Sequence, residues 1–206
     1  MALSTYTEIQ ASIASWTNRS DLTSEIVDAV AMVEAEVSRK VRHAEMLVTD
    51  AAFAVASKTE AVPTGMLEVK RITLAGSPVK NLIFISPEEM AEKRATYSTA
   101  GKPIWFTVVG GSFEFLPTPG DSYTADLLYY KRITGLATTS PNWLLTNHPD
   151  VYIYGSLLKL EAFMVNDERI PVWKTLYDQA LAELNIEGQR MQATATPRAY
   201  ARVMGV

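Results

Sequence analysis

Cysteine is absent from the 206 residues, which excludes disulfides, thiolate metal sites and cysteine nucleophiles together. Histidine is almost absent: His43 and His148 are the only two, and their separation fits no metal-ligand spacing. There is no excess of positive charge either. Nineteen Lys and Arg stand against 23 Asp and Glu, for a formal net charge of −4, which counts against a dedicated nucleic-acid binder. Apolar runs are short: stretches such as IVDAVAMV are broken by charge within about ten residues, where a bilayer span takes roughly 20. The opening MALSTYTEIQ has no basic segment and no apolar run, so no signal peptide is expected. The glycine signatures of chemistry are missing as well. No G-x-S-x-G elbow, P-loop or G-x-G-x-x-G occurs, which leaves nucleophile-elbow hydrolysis and nucleotide binding without support.

What is present reads as a soluble folded protein, with 48% hydrophobic and 20% charged residues in a chain long enough for one domain with a core or two small lobes. The hydrophobic period changes twice along it. Tyr6, Ile9, Ile13 and Trp16 fall three and four apart and predict a short helix with Ser4 or Thr5 as cap. After the polar break Asn18–Asp21, a second stripe runs through Ile26, Ala29, Val30, Val33, Val37 and Val41, with Glu34, Glu36 and Lys40 facing mostly away. Arg39, Lys40 and Arg42 close that helix, where cations complement the helix dipole.

From about Glu45 to Thr134 the period is two. Met66–Leu74 reads as a strand whose apolar phase slips between Val69 and Ile72, predicting a bulge near Lys70 and Arg71. Ser86-Pro87-Glu88-Glu89 starts a short helix reaching about Thr96, with a cap, a first-turn proline and acids. In WFTVVGGSFEFL, two alternating runs flank Gly110-Gly111, which predicts a tight hairpin. Pro117 to Asp121 is a second turn, after which Tyr123, Ala125, Leu127 and Tyr129 share one face of a further strand ending near Arg132. These strands predict an antiparallel sheet or small sandwich.

Helical period returns at Asn147-His148-Pro149-Asp150. The segment VYIYGSLLKLEAFMV is apolar almost all round and predicts the buried centre of a bundle. Asn166–Glu168 forms a turn, and a last helix carries Trp173, Leu176, Tyr177, Ala180, Leu181 and Leu184, with Lys174 and Asp178 one turn apart. The fold class is therefore α+β: residues 1–44 and 140–193 form a helical bundle, residues 45–139 an inserted β-rich lobe with one short helix. Residues 194–206 form a flexible tail that cannot bury enough to order itself.

The catalytic inventory is thin. His148 abuts a helix start and reads as a capping or packing residue. Glu34 and Glu36 are two apart on a helix and point in different directions. Glu88 and Glu89 sit in a first turn, where acids are expected. Glu161, on the buried-looking helix, is the one unusual acid; a salt bridge or subunit contact explains it better than catalysis. The aromatics Trp105, Phe106, Phe113, Phe115, Tyr129 and Tyr130 could stack bases, but few cations lie beside them, and packing accounts for them better. No catalytic residue, metal or cofactor is assigned, and the chain is not read as an enzyme.

Taken in order, STYTEIQASIASWTNRSDL, EVKRITLAG, KPIWFTVVGGSFEFLPTPGDSYTADLLYYKRI and NWLLTNHPDVYIYGSLLKLEAF resemble the head-to-tail adaptors of short-tailed bacteriophages. That group includes the P22-type tail accessory adaptors and tail tubular protein A. The resemblance covers nearly everything up to Leu184 and nothing beyond Met191. It implies a virion protein of the neck, assembled in the host cytoplasm, forming a ring of about twelve copies beneath the portal. Such a ring extends the DNA channel, passes double-stranded DNA without sequence-specific binding, and carries the tail nozzle and the fibres or spikes. A cysteine-free chain with an all-round apolar helix and an acidic balance suits a part that completes its burial on neighbours and does not hold DNA. Arg198, Tyr200, Arg202, Val203 and Met204 in the tail are the candidate anchors to the portal or a neighbouring subunit, since Arg and Tyr are common interface anchors. Gly110, Gly111, Pro117, Pro119 and Gly120 are the candidate contacts for nozzle or fibres. Two rival readings stay open from the sequence: a virion-associated cell-wall hydrolase built on Glu161, and a DNA-binding packaging protein using Arg39, Lys40 and Arg42.

Overall fold

A computed structural model describes residues 3–76, 78–164 and 168–192. In chain order the elements are α1 (Tyr6–Thr17), α2 (Thr23–Lys40), β1 (Leu47–Val55), β2 (Thr59–Ala61), β3 (Met66–Leu74), β4 (Lys80–Asn81) and β5 (Ile83–Phe84). Then come α3 (Pro87–Thr96), β6 (Trp105–Val109), β7 (Ser112–Leu116), β8 (Tyr123–Lys131), α4 (Trp143–Asn147), α5 (Pro149–Lys159) and α6 (Ile170–Gln192). They divide into two units, one of Met1–Glu45 with Ile133–Val206 and one of Met46–Arg132. This is the α+β class expected, with helices from both ends of the chain and strands between them.

In the helical unit, α1 begins with a reciprocal capping box: the Thr5 side chain accepts from Glu8 N–H at 3.3 Å, and the Glu8 carboxylate accepts from Thr5 N–H at 3.0 Å. Ile9 and Ile13 are buried as their spacing requires, but Trp16 is 42% exposed. Its place on the inner face goes to Thr17, whose hydroxyl donates to the carbonyls of Ile13 and Ala14 at 3.1 and 3.0 Å. The helix ends there, with Asn18 in a left-handed conformation at φ 52°, so Trp16 has no further turn above it to pack under. The α2 stripe from Ile26 to Val41 is buried as expected.

The third helical region departs from expectation at both ends. Helical structure returns at Trp143, where Asn142 caps α4 by accepting from Leu145 N–H at 2.9 Å. Only then does α5 start, at Pro149, with no side-chain cap from His148. It stops at Lys159 rather than running on to Val165, and Glu161–Phe163 forms a tighter 3₁₀ turn. The expected burial holds for the part that is helical: Val151, Tyr152 and Leu157 are fully buried, and α5 packs against α1, α2, α4 and α6. Gly155 lets this happen, because a Cβ there would stand 2.8 Å from both the Tyr177 ring and Val33 Cγ2. The Asn166–Glu168 turn falls largely outside the described residues.

The second unit contains two four-stranded sheets, ordered β1-β8-β3-β4 and β2-β7-β6-β5. Val55, Ile72, Leu74, Ala125, Leu127 and Tyr129 from one sheet share a core with Phe106, Phe113 and Phe115 from the other. Alternation explains both faces. The β3–β8 register shifts between Val69 and Arg71, where the apolar phase slip placed a bulge. Most pairings are antiparallel. The exception is β5 with β6, which is parallel: α3 lies between them in sequence and supplies the crossover that a parallel pair requires. That helix runs over the expected span, with Ser86 Oγ accepting from Glu89 N–H at 3.1 Å.

Substituting Gly155→Ala puts a methyl group against Tyr177 and Val33 in a filled interior, and overpacking of this kind costs about 1–3 kcal/mol. Urea titration followed by far-UV circular dichroism is expected to show that loss, with the m-value unchanged.

Candidate interaction surfaces

Of the carboxylates singled out for possible chemistry, Glu34 and Glu36 are engaged by the fold and Glu161 is not. Glu161 is exposed on the 3₁₀ turn, not buried in α5, because the helix ends before it. Among the described residues, the adjoining cleft of about 590 Å³ is lined by Leu158, Lys159, Ala162, Met164 and Ile170 besides Glu161 itself, with no second carboxylate. Glu34 and Glu36 do point in different directions, but neither faces away from the bundle. Glu34 Oε1 accepts from Leu136 N–H at 2.7 Å and from the Tyr152 hydroxyl at 3.1 Å. Asn142 extends this network, donating to the Tyr152 hydroxyl at 2.8 Å and to the Thr134 carbonyl at 2.9 Å. Burial pushes the Glu34 carboxyl above its ordinary range, against the downward pull of its two donors. Burial, then the nearby Glu34 charge, also raises the Tyr152 hydroxyl, so that it stays a donor.

Glu36 is only 8% exposed and lies between Lys40 and Lys159, both at 2.6 Å. Burial alone favours its protonated form, but the two ammonium groups outweigh that and hold its pKa below the usual value. The pairing also commits Lys40 to the bundle. Arg42 donates to the carbonyls of Ser38 and Val41 at 2.9 and 2.8 Å, completing the end of α2 as the dipole argument expects. Of the three cations in the DNA-binding reading, two are thus engaged locally. Among the described residues, no group of three or more His, Asp and Glu side chains is placed to hold a metal ion.

The two histidines, far apart in sequence, meet in the helical unit. Their ring centroids are 6.4 Å apart. His43 stacks on Trp143 at 4.9 Å with the planes 10° apart. His148 closes α4 through its backbone, donating N–H to Leu144 O at 2.8 Å, but makes no side-chain cap on α5 and instead brings Nε2 to 3.2 Å from Glu187 Oε2.

The loop candidates separate into two places. Gly110 and Gly111, at φ 58° and 77°, make the tight turn between β6 and β7 that only glycine adopts easily. No other atom lies within 4 Å of where their Cβ atoms would be, so the tip stands clear, with the neighbouring Val109 49% exposed. Pro117, Pro119 and Gly120 follow the opposite end of β7, roughly 16 Å away along five strand residues. This second loop is tied down: Gly101 N–H donates to Thr118 O at 2.8 Å and Gly120 N–H to Gly101 O at 3.2 Å. Arg94 braces β7 beside it, bonding to Glu114 at 2.6 Å and to the Phe115 carbonyl at 3.2 Å. Pro119 is buried, Pro117 half-buried and Gly120 exposed. The tail candidates Arg198, Tyr200, Arg202, Val203 and Met204 lie outside the described residues.

Two further surfaces escaped the sequence reading. At one end of the helical bundle, Trp16 meets Tyr154 edge-on at 6.0 Å, and Phe163 is 46% exposed. Arg169 donates to the Trp16 carbonyl at 3.3 Å and lies 4.8 Å over the Trp173 ring, while Arg19 donates to the Phe163 carbonyl at 3.4 Å. Tryptophan, tyrosine and arginine are the residue types that anchor protein interfaces. In the β unit, the edge strand β5 leaves Ile83 and Phe84 55% and 59% exposed. Beside it opens a cleft of about 780 Å³ between β3 and β6, floored by Leu82, Phe106 and Val108. The available signal was Trp16 at the last turn of its stripe.

The Glu34 contacts give a prediction with a definite sign. A carboxyl whose pKa is raised by folding contributes fully below the ordinary carboxylate range, and that contribution is lost as pH rises through the folded value. Glu34→Gln keeps the acceptor and removes the ionisation, so it is expected to gain on the wild type as pH rises from 4 to 8. Glu34→Leu strands Leu136 N–H and the Tyr152 hydroxyl and is expected to cost about 1–3 kcal/mol at every pH. Chemical denaturation of the three proteins across that range checks both.

Comparison with known proteins adds one positive finding. The sequence model of the SU10 adaptor protein family matches residues 4–201. No curated protein matches the chain.

Proposed function

We propose, from the premise that this chain belongs to the SU10 adaptor protein family, that it forms a ring beneath the portal of a phage head and joins head to tail. Family membership makes it a phage adaptor and implies a structural part of the virion. The finer reading is a P22-type head-to-tail adaptor of about twelve copies. That ring extends the DNA channel, lets double-stranded DNA pass without reading its sequence, and presents a platform to the nozzle and to the fibres or spikes.

The observation that carries this reading is the family match, which runs through both units of the chain. The disposition of side chains supports it. The carboxylates are spent on internal hydrogen bonds and ion pairs, whereas Trp16, Phe163, Ile83 and Phe84 are left at the surface. A formal charge of −4 suits a wall that DNA must slide past, since cationic walls retain phosphates. The clear hairpin tip at Gly110-Gly111 and the braced loop at Pro117, Pro119 and Gly120 serve as two separate contacts for nozzle or fibres. Arg198, Tyr200, Arg202, Val203 and Met204 serve as the anchor to the portal or an adjacent subunit.

Negative-stain microscopy of the protein mixed with purified portal is expected to show an added ring below the portal. Deleting Thr194–Val206 is expected to abolish that attachment while leaving the thermal transition of the free protein within about 2 °C, because the segment has few large apolar groups to bury. Attachment that survives the deletion rules out the tail as anchor. Absence of the polypeptide from purified virions rules out the adaptor reading itself.

A further inference from the structure

The two histidines occupy a junction at which three segments of the helical unit converge. The link from Val41 to Glu45 follows α2, His148 separates α4 from α5, and Glu187-Gly188 lies in the C-terminal third of α6. His43 is 1% exposed. Its Nδ1 accepts from Glu45 N–H at 3.2 Å, so the neutral ring carries its proton on Nε2. That nitrogen is buried and has no hydrogen-bond partner among the described residues. The turn of α6 at Gly188 lies directly against this ring: a Cβ on Gly188 would sit 3.1 Å from His43 Cα and Cδ2 and 3.0 Å from the Arg42 carbonyl. One turn further on, Gln192 donates to that same carbonyl at 3.2 Å.

We propose that this junction is a pH-sensitive latch, in which protonation of His43 releases the C-terminal turns of α6 from the link that follows α2. The second proton must go to Nδ1, the atom that accepts from Glu45 N–H. Adding it turns an acceptor into a donor facing a donor, and places a cation in a buried site stacked on an indole. Burial is also what lowers the pKa of this imidazole below the ordinary histidine value. The charged and titratable groups facing it are Arg42 and Glu45 on the link, His148 ahead of α5 and Glu187 on α6. Arg42 is turned to the carbonyls of Ser38 and Val41. Glu187 is drawn to His148 at 3.2 Å, so it is shared rather than free to neutralise His43.

The two histidines act in opposite senses. The contact between His148 and Glu187 holds α6, whereas protonated His43 expels α6. The latch stands at the C-terminal end of α6, so opening it frees the last turns of that helix. This inference does not depend on the adaptor reading.

The sign follows from linkage. A base whose folded pKa is depressed binds fewer protons folded than unfolded, so local stability falls as pH drops below about 6.5 toward the folded value. Amide hydrogen exchange on the full chain at pH 7.5 and pH 5.0, corrected for intrinsic rates, reads this directly. Protection at Glu45 and Gly188–Gln192 is expected to fall at least tenfold in acid, while protection at Val33 and Leu157 holds. In His43→Asn, whose side-chain oxygen still accepts from Glu45 N–H and takes no proton, the loss is expected to disappear. Unchanged protection of Gly188–Gln192 in the wild-type protein, or an equal loss in His43→Asn, overturns the latch. Imidazole nitrogen chemical shifts of the wild-type protein decide the matter even where a variant fails to fold: Nδ1 of His43 must gain its proton over the same pH interval in which those amides open.

Discussion

The helical unit depends on polar groups placed inside an otherwise apolar bundle. Glu34 joins α2 to Leu136 and Tyr152, and Asn142 carries the network on to Thr134 and Leu145. Apolar stripes alone specify that helices bury a face, but they tolerate sliding and rotation. A carboxylate that must find two particular donors does not, because each unmet partner in a low-dielectric interior costs more than a typical hydrogen bond returns. Glu36, held between Lys40 and Lys159, applies the same restriction on another side of α2. The two acids thus fix the rotation of the helix about its own axis.

That constraint explains how a chain can leave a bundle for a long excursion and return. The path departs after Glu45 and re-enters at Ile133, where Ile133 N–H donates to Ser38 Oγ at 3.2 Å. Leu136 then meets Glu34, one helical turn before Ser38 on α2. The returning strand end is therefore tied to a single helix at successive turns before α4 begins. An Asn142 side chain that caps α4 and also bonds to Tyr152 couples the start of the next helix to the same network. The core elements β3, β7 and β8 form a second, separate core of their own.

Much of the fold was legible because periodicity and turn chemistry act locally. The buried stripe of α2, the Ser86 cap, the bulge near Lys70 and the Gly110-Gly111 turn each follow from residues within a few positions of one another. What the sequence concealed was settled by residues far away in the chain. Glu34 and Glu36 sit at polar positions of an amphipathic pattern, and only the arrival of Leu136, Tyr152 and Lys159 makes them interior. Trp16 continues an apolar stripe, yet the helix stops beneath it. His43 and His148 looked unrelated until α6 brought Glu187 and Gly188 against both. The two glycine- and proline-rich loops are neighbours in sequence. A strand between them carries them to opposite ends of the hairpin.

Exposure here runs against the usual assignment, in which carboxylates face water and large aromatics do not. Acids at 34 and 36 are drawn inward, whereas Trp16, Phe163, Ile83 and Phe84 keep between 42% and 59% of their surface open. Single exposed apolar residues need no explanation, but Trp16 and Phe163 are grouped with Tyr154, Arg19 and Arg169 at one end of a bundle, and Ile83 and Phe84 border an open cleft. The guanidinium groups of Arg19 and Arg169 bond to backbone carbonyls beneath the aromatic rings, which fixes the rings in place without covering them. Held rings lose little conformational entropy when another surface closes over them. Rigid aromatics kept at the surface, with Arg19 and Arg169 beside them, are suited to contact with another protein surface.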